Sequence, residues 1–466
     1  MSGYLFSMIP KTVQQVKSKH RRIATQFPVP ESLSIFSDLD RYESRSMHGQ
    51  LPVVWDRAEG YQVFDPWGNC WIDFTSTIFV TNTGHANEKI VDSLISNIKR
   101  RLLHTYTFTS KVRAVFLKKL TEMLPVQFEK AFLLSAGTEA TECAVKLMRL
   151  YGQSIHPDKL GIVSFRGAMH GRTMGAEMLK GDPKQSSWIG YMDPNIYHLP
   201  FPYPWCAKDQ NDNQYDWGQH FSKDMENLKT NGLHFENISG FIIESYLGWG
   251  AIFYPEAYIK AMERFARQYN CLITFDEIQS GFGRTGKWFC YQHYGVEPDL
   301  LCLGKAISGS LPLSAVVGSR KIMDLPEFGS MSSTHSANPL CCAAALANLE
   351  TIEADNLVEQ AATKGVLLHH MLQDIKSKYS HRISYVFGKG LLAGVLFKDP
   401  QTGDPDSLFP SLVCERAMQK GLLLVHTGRE SIKIGPPLTI PEEALIEGIE
   451  VFAESIQEIE NESAKS

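Results

Sequence analysis

The sequence predicts an α/β protein: a large domain with a mostly parallel sheet covered by helices on both faces, followed by a smaller α+β domain. Between about residues 90 and 335, helical patterns alternate with short apolar runs, namely AFLLS, GIVSF, GFIIES, CLITF, LLCLG and SAVVG. Short runs rich in leucine and β-branched residues, bounded by glycine and separated by helices, are typical of strands that are buried on both faces.

The segments on either side have different patterns. Residues 20 to 60 mix proline, serine and charged residues, which indicates an arm lying across another surface. The stretch GYQVFDPWGNCWIDFTSTIFV alternates apolar residues around Pro66, Gly68 and Asn69, which predicts a small antiparallel meander. After residue 340, helical runs, short strand-like runs and a terminal amphipathic helix predict the second domain. The expected parts are an N-terminal arm and meander (1–88), a large domain (89–335) and a small C-terminal α+β domain (336–466).

Composition excludes several classes of partner. The chain has 466 residues, 43% of them hydrophobic and 21% charged, and a formal net charge of −5. Charges of both signs are dispersed, so no basic region exists to attract nucleic acid or acidic lipid headgroups. The nine cysteines show no C-x-x-C spacing, which favours reduced thiols over disulfides. We expect no nucleic-acid partner and no bound metal.

The N-terminal segment bears on cellular location. In MSGYLFSMIPKTVQQVKSKHRR, a short apolar patch is broken by Pro10 and its basic residues follow the patch, unlike a secretory signal. No apolar run reaches the roughly 18 residues that would span a bilayer. We expect a cytoplasmic protein without membrane association. An organellar transit peptide is the alternative, because the first 22 residues contain no acidic residue and several basic ones.

One glycine-rich stretch resembles a dinucleotide-binding turn. CLITFDEIQSGFGRTGKW, residues 271–288, spaces Gly281, Gly283 and Gly286 as G-x-G-x-x-G after an apolar run. Such a turn requires a helix at the third glycine and an acidic residue about 20 residues later. Here Asp276 and Glu277 precede the glycines, and aromatic residues follow them. We therefore reject a nicotinamide cofactor and interpret the glycines as positions where the backbone turns closely.

A carboxylate at the tip of a parallel strand suits a different cofactor, pyridoxal phosphate (PLP). The ring nitrogen of PLP must stay protonated for the ring to act as an electron sink, and a buried aspartate holds that proton. A PLP enzyme also needs a lysine for its Schiff base and a helix N-terminus for the phosphate. Asp276 ends one apolar run, Lys305 follows another, and residues 135–138 lie between a strand and a helix. Each feature alone has an ordinary explanation, a solvated lysine or a helix cap, but together they favour PLP.

The motif FDEIQSGFGRTGKWF, followed by PDLLCLGKAISGSLPLSAVVG, resembles that of the class III PLP-dependent aminotransferases. This fold type I family includes 4-aminobutyrate, ornithine and other omega-amino acid transaminases, and the resemblance runs from about Gly60 to the C-terminus. It implies that Lys305 forms the Schiff base and then moves the substrate proton as general acid and base. It also implies that Asp276 pairs with the pyridinium nitrogen and that Gln279 hydrogen-bonds the ring hydroxyl.

The resemblance also implies a phosphate site and a dimer. The phosphate cradle of the family falls on Ala136, Gly137 and Thr138. Thr334, in SSTHSANPL, matches a threonine that reaches the phosphate of the neighbouring subunit. We therefore expect a homodimer with shared active sites.

Three further positions match cofactor contacts of the family. In SFRGAMHGRTMGA, Met169 stands where the family has an aromatic residue stacked on the pyridine ring, and His170 follows it. A thioether attracts a π face by about 0.3–1.5 kcal/mol, so we expect cofactor binding to survive this change. Glu244, at the end of GFIIES, is retained from the family pattern.

Four residues are candidate substrate contacts. Arg172 matches the arginine that grips the distal carboxylate in the 4-aminobutyrate branch, with a structural ion pair as the alternative, and Ile78 matches an apolar residue of the same pocket. Transaminases that use glutamate carry an arginine that clamps the α-carboxylate and a glutamate that pairs with it. Here Lys433 and Trp249 take those two places. Lys433 would attract a carboxylate as a point charge and Trp249 would add an apolar wall, unless the lysine points to solvent and the indole only fills space.

These observations predict a dimeric PLP-dependent transaminase that moves the amino group of an omega-amino acid or other primary amine to a 2-oxo acid. The first alternative keeps the cofactor but changes the reaction to that of a decarboxylase, racemase, mutase or phospho-lyase. A second is a non-catalytic homologue, which would be expected to lack Lys305 or Asp276, and both are present.

Overall fold

The computed structural model describes residues 6–208 and 215–463. Its strands are, in chain order, β1 (Val16–Lys17), β2 (Arg22–Ile23), β3 (Arg57–Glu59), β4 (Gln62–Phe64), β5 (Cys70–Asp73), β6 (Lys130–Leu134), β7 (Gly161–Phe165), β8 (Ile196–Leu199), β9 (Ile238–Glu244), β10 (Leu272–Asp276), β11 (Leu300–Leu303), β12 (Ser314–Gly318), β13 (Ile383–Lys389), β14 (Leu392–Phe397), β15 (Leu422–Leu423), β16 (Val425–His426) and β17 (Ser431–Ile434).

The helical segments are α1 (Leu33–Tyr42), α2 (Ser76–Phe79), α3 (Glu88–Lys99), α4 (Lys111–Glu122), α5 (Gly137–Gln153), α6 (Met174–Met178), α7 (Trp205–Lys208), α8 (Trp217–Thr230), α9 (Glu256–Gln268), α10 (Arg320–Met323), α11 (Pro339–Ala354), α12 (Leu357–Lys378), α13 (Leu408–Gln419) and α14 (Glu442–Ser463). Within the described ranges, no helix is both long and apolar enough to cross a membrane.

The large sheet has the strand order β6-β12-β11-β10-β9-β7-β8. Every neighbouring pair is parallel except those of β12, which runs antiparallel to β11 and β6. The predicted mostly parallel sheet is therefore confirmed, and all six apolar runs form strands of it. The edge strand β8 escaped prediction, because its IYHL is short and three of its four residues are only half-buried.

Two smaller sheets flank the large one. The N-terminal sheet has the order β1-β2-β5-β4-β3, and β15 from the C-terminal segment pairs with β5 in parallel. The C-terminal sheet, β13-β14-β17-β16, is antiparallel. One hydrophobic cluster runs from Phe74 through Phe241 and Phe275 to Phe452, so all three regions of the chain share a core.

Segment α2 is a left-handed turn. Ser76, Thr77, Ile78 and Phe79 all have positive φ, between 45° and 69°. Left-handed backbone costs about 1–2 kcal/mol for each residue other than glycine, so neighbouring contacts must hold the turn. The hydroxyl of Ser76 donates to the carbonyl of Gly435 at 2.7 Å, and Phe79 is fully buried. The turn is thus hydrogen-bonded to Gly435, the residue that follows β17.

The G-x-G-x-x-G stretch packs closely against the C-terminal segment. Gly283 and Gly286 have φ of +91° and +80°, and a Cβ at either would lie 2.9 Å from an atom of the C-terminal segment. Between them, the buried guanidinium of Arg284 donates to four oxygens. The acceptors are the carbonyls of Leu391 (2.9 Å) and Pro436 (2.5 Å), Oδ1 of Asn82 (2.6 Å) and the hydroxyl of Ser76 (3.3 Å). Through Arg284, the loop is therefore hydrogen-bonded to residues 76–82, to Leu391 and to Pro436.

Candidate active site

Three neighbouring strands end at one edge of the large sheet. In their register, Asp276 of β10 lies opposite Glu244 of β9 and opposite Cys302 of β11. Lys305 begins the turn that follows β11. Because the carboxyl ends of parallel strands meet at the same edge, the two carboxylates and the lysine come together there.

These side chains line a cavity of about 480 Å³. This volume lies within the usual range of small-molecule sites, about 300–1,000 Å³. Lining residues that the sequence singled out include Gly137, Thr138, Met169, Arg172, Gln279 and Lys305. The described residues contain no group of three or more histidine, cysteine or acidic side chains placed to hold a metal ion.

Lys305 is held in an unusual backbone conformation. Its φ of 45° lies in the left-handed region, a conformation that costs about 1–3 kcal/mol and that is concentrated at functional sites. Burial lowers the pKa of its amine, and the carboxylates of Asp276 and Glu244 partly oppose that shift. A lowered pKa makes the neutral, nucleophilic amine more available at neutral pH.

Asp276 has two fixed partners. Its Oδ2 accepts a hydrogen bond from Nδ1 of the buried His170 at 2.8 Å, and its Oδ1 accepts from the backbone N–H of Ile278 at 3.0 Å. An ionised carboxylate can only accept, so the Nδ1 of His170 carries the hydrogen. These donors fix the orientation of the Asp276 carboxylate towards the cavity that it lines.

Glu244 lies against the backbone on two sides. Its Oε2 accepts from the N–H of Met169 at 3.1 Å, and a Cβ at Gly248 would lie only 2.6 Å from its Oε1. Burial raises the pKa of this carboxyl to about 7, with the charge of His170 opposing the shift. Glycine is therefore required at position 248 for the carboxylate to occupy this place.

Helix α5 points its N-terminus at the cavity. Ser135, Gly137 and Thr138 line the cavity. The N–H of Ala136 is already donated to Glu139 Oε2 at 3.1 Å, and Ala136 is absent from the described lining. The N–H groups of a helix N-terminus and its dipole favour an anion.

The segment after β7 supplies a further part of the cavity wall. Met169 is 41% exposed and Arg172 is exposed, and both side chains line the cavity. Among the described residues, no acidic side chain forms an ion pair with Arg172. A guanidinium that faces a cavity without a carboxylate partner is suited to binding an anionic ligand group.

Lys433 is buried, in contrast to a solvated lysine. Its side chain is 5% exposed, and its Nζ lies 3.3 Å from Oε1 of Gln279. Burial lowers the pKa of this amine to about 7; the charge of Lys305 lowers it further and that of Glu244 raises it. The hydroxyl of Tyr246 also lies 3.3 Å from Gln279 Oε1.

Five predicted site residues lie outside the described cavity lining: Ala136 and Lys433, described above, and Ile78, Trp249 and Thr334. Ile78 is 38% exposed on the left-handed turn, and Val80 lines the cavity in its place. One face of Trp249 is covered by the guanidinium of Arg429, 3.9 Å from the ring centroid, so the indole is not a bare apolar wall. Thr334 is exposed, and its carbonyl accepts from Nε2 of His104 at 2.9 Å.

Sequence reasoning missed two features of the site. The pairing of His170 with Asp276 spans 106 positions, and no local pattern encodes it. Tyr246 was also overlooked. It lies two residues beyond Glu244, past the end of β9, so strand alternation does not predict its position, and nearness to Glu244 in the sequence was the available signal.

The residues present fit PLP. A carboxylate with a fixed orientation, a half-buried lysine with a lowered pKa and the N-terminus of a 17-residue helix all border one cavity. Gly171 packs so closely on Thr138 that a Cβ would lie 2.2 Å from the hydroxyl oxygen, which brings the segment after β7 against the N-terminus of α5.

Comparison with known proteins identifies the family. A model of the class-III aminotransferases matches residues 43–456. The chain belongs to this family. It is similar to the ornithine aminotransferase of Saccharomyces cerevisiae, with 34% identity over 90% of this chain and 96% of the relative. It is also similar to the 4-aminobutyrate aminotransferase of Mycobacterium leprae, with 31% identity over 93% of this chain and 97% of the relative.

A solved structure supports the same conclusion about this class-III aminotransferase. The ornithine aminotransferase of Toxoplasma gondii, with PLP at partial occupancy in its active site, matches with a TM-score of 0.80 and 25% identity. The match covers 94% of this chain and 96% of that one. The fold type I assignment and amino transfer from an amine to a 2-oxo acid are thereby confirmed as the family's fold and reaction.

Proposed function

We propose that this class-III aminotransferase binds PLP in the 480 Å³ cavity and transfers the amino group of an omega-amino acid or other primary amine to a 2-oxo acid. The observation that carries the proposal is the convergence of Lys305, Asp276 and the N-terminus of α5 on that one cavity. When bound, PLP supplies an electron sink that makes a substrate C–H bond acidic.

The residues then have distinct tasks. Lys305 would carry the proton between the substrate carbon and the cofactor, because it lines the cavity and burial lowers the pKa of its amine. Asp276 holds the proton on the ring nitrogen, and His170 keeps its carboxylate oriented. The N–H groups that begin α5 bind the phosphate, with the Thr138 hydroxyl beside them. Met169 packs against one face of the ring.

The first experiment is a visible-absorption titration of the purified holoenzyme with single amines and no acceptor. The panel is alanine, glutamate, 4-aminobutyrate, ornithine, an arylalkylamine and an amino sugar. We expect at least one of them to convert the bound cofactor stoichiometrically to pyridoxamine phosphate. Loss of the substrate's chirality, or release of ammonia, carbon dioxide or phosphate without that conversion, would instead support a racemase, decarboxylase or lyase.

Arg172 is proposed to bind the distal carboxylate of the amine donor. We expect Arg172→Ala to raise KM for 4-aminobutyrate by about 10–100-fold, the effect of losing a charged hydrogen-bonded pair, while KM for an arylalkylamine changes little. Steady-state kinetics with both donors measure the difference. Arg166→Ala is the matched control, since this exposed arginine lies outside the described cavity lining. An equal rise of KM for both donors would contradict the assignment.

We further propose a homodimer with shared active sites. Helix α3 packs Ile90 and Leu94 against α11, yet exposes Val91, Ile95 and Ile98 on another face. Large apolar side chains spaced i, i+4, i+7 on an exposed helix face indicate a protein interface. A second copy of this chain is the partner that the family resemblance favours.

Hybrid dimers test whether Thr334 acts across that interface. Thr334→Ala and Lys305→Ala proteins are each expected to have low activity at limiting PLP. After subunit exchange, a hybrid dimer would contain one site with both residues intact, so we expect mixing to restore activity. If Thr334 served its own subunit, every hybrid site would lack one residue and mixing would restore nothing. Light scattering of the unmixed protein verifies the dimer.

We propose a cytoplasmic location. Eight cysteines are buried free thiols, which fits a reducing compartment.

A further inference from the structure

Two donors from different elements converge on one atom of Gln279. Nζ of Lys433 and the hydroxyl of Tyr246 each lie 3.3 Å from its Oε1. Gln279 lines the cavity, whereas Lys433 is not among the described lining residues. Seen from the cavity, the amine of Lys433 therefore lies behind Gln279. A ligand carboxylate in the cavity would contact Gln279 before it could contact Lys433.

This contact determines which way the carboxamide faces. A lysine ammonium has three donors and no acceptor, and the structure places Oε1 of Gln279, the carbonyl oxygen of its carboxamide, beside Nζ. The Tyr246 hydroxyl donates to the same oxygen. In the described parts of the chain, Nε2 of Gln279 donates to no protein acceptor, so its N–H groups are left for whatever occupies the cavity.

The surroundings of Lys433 keep its amine in place. The side chain is buried, with Nζ 5.0 Å from the centroid of the Phe79 ring on the left-handed turn. The neighbouring charged groups are Lys305, which repels it, and Glu244, which attracts it. On the paired strand β14, Gly394 lies opposite Lys433, so no side chain from that strand competes for the amine.

We propose that Lys433 is a positioning residue: together with Tyr246 it holds the carboxamide of Gln279 by its oxygen, so that the amide N–H groups donate to the ring oxygen of the cofactor. The inference rests on the proposed cofactor. Its chemical basis is that a ring oxygen carrying negative charge can only accept hydrogen bonds, so a reversed carboxamide would present an oxygen to an oxygen. Lys433 then acts on the cofactor through Gln279, without touching the substrate.

The test measures cofactor binding, not turnover. Apoenzyme is titrated with PLP, and the dissociation constant and the position of the visible band are recorded. Lys433→Met is expected to weaken PLP binding by about 10–100-fold and to shift the band, because a hydrogen bond to a charged acceptor is lost. Lys433→Arg keeps a donor-only group and is expected to stay within about threefold of wild type. Tyr246→Phe, which removes one of the two donors, is expected to weaken binding by about two- to tenfold.

The matched control is Lys364→Met. Lys364 is a partly buried lysine on α12 whose Nζ donates to Gln360 Oε1 at 2.8 Å and to the carbonyl of Leu438 at 3.0 Å. It has the same type of lysine–glutamine contact outside the described cavity lining. This variant is expected to keep the wild-type dissociation constant and band position, which separates a positioning effect from a loss of stability.

A double substitution decides whether Lys433 works through Gln279. In a Gln279→Ala background, Lys433→Met is expected to cause no further loss of PLP affinity. The proposal is overturned if Lys433→Met alone leaves the affinity and the band unchanged, or if its effect is as large without Gln279. A wild-type apoenzyme that binds no PLP would instead overturn the proposed function itself, so the two failures are distinguishable.

Discussion

Replacing Lys305 with alanine is expected to lower the rate of amino transfer by at least about 10²–10⁴-fold, the range that a single general acid–base group contributes. Lys305 is half-buried, borders the cavity with Asp276 and Glu244 and has an amine pKa lowered by burial. Among the described lysines, Lys305 alone lines the cavity, so no other is placed to substitute for it there. The variant also lacks the amine that would attach PLP to the chain. We therefore expect borohydride reduction to fix one cofactor on the wild-type chain and none on the variant, as read by intact mass.

Two controls distinguish a loss of catalysis from a loss of folding in this experiment. Lys159→Ala removes a buried lysine whose Nζ donates, among the described residues, to the carbonyls of Glu236 and Tyr269, and it is expected to keep the borohydride-dependent mass increase. Added methylamine is expected to restore part of the activity of Lys305→Ala by supplying a free base. A Lys305→Ala enzyme within tenfold of wild type would contradict the assignment.

Replacing Asp276 with asparagine is expected to lower the rate by about 10²–10⁴-fold, because breaking a buried charge pair costs about 3–5 kcal/mol and each 1.36 kcal/mol is tenfold. Asparagine nearly preserves the shape but removes the negative charge that holds a proton on the ring nitrogen. Nδ1 of His170 would then face an uncharged amide. Single-turnover absorption measurements with the best donor report the loss directly.

A second buried aspartate–histidine pair provides the control. Oδ2 of Asp73 lies 2.7 Å from Nε2 of His85, and both side chains are buried. Asp73→Asn is expected to lower thermal stability while the absorption band of bound PLP stays at its wild-type position. If Asp276→Asn and Asp73→Asn reduced single-turnover rates equally, the role of Asp276 would be structural.

Local sequence patterns predicted those features of the fold and the site that interactions between residues close in sequence determine. The strand-ending positions of Glu244 and Asp276, and Lys305 just beyond β11, followed from short apolar runs, since the ends of parallel strands share one edge. The left-handed turn at residues 76–79 did not, because it contains no glycine to mark positive φ. Contacts between distant segments, such as that of Lys433 with Gln279, depend on how separate parts of the chain pack, and they leave no periodic pattern in the sequence.

The hydrogen bonds of Arg284 bear on which substitutions this chain tolerates in its C-terminal segment. In the C-terminal segment its guanidinium bonds to main-chain carbonyls alone, those of Leu391 and Pro436, and every amino acid presents such an oxygen. These two hydrogen bonds do not depend on the side chains at positions 391 and 436, whereas the flanking Gly390 and Gly435 are fixed, because a Cβ there would lie 2.4 Å from Thr285 and 2.0 Å from Phe79. Chimeras that exchange residues 336–466 with those of a relative should assemble whenever the backbone path is kept. The attachment through Arg284 is thus insensitive to side-chain substitutions at its two acceptor positions, and active-site residues can change without loss of these hydrogen bonds.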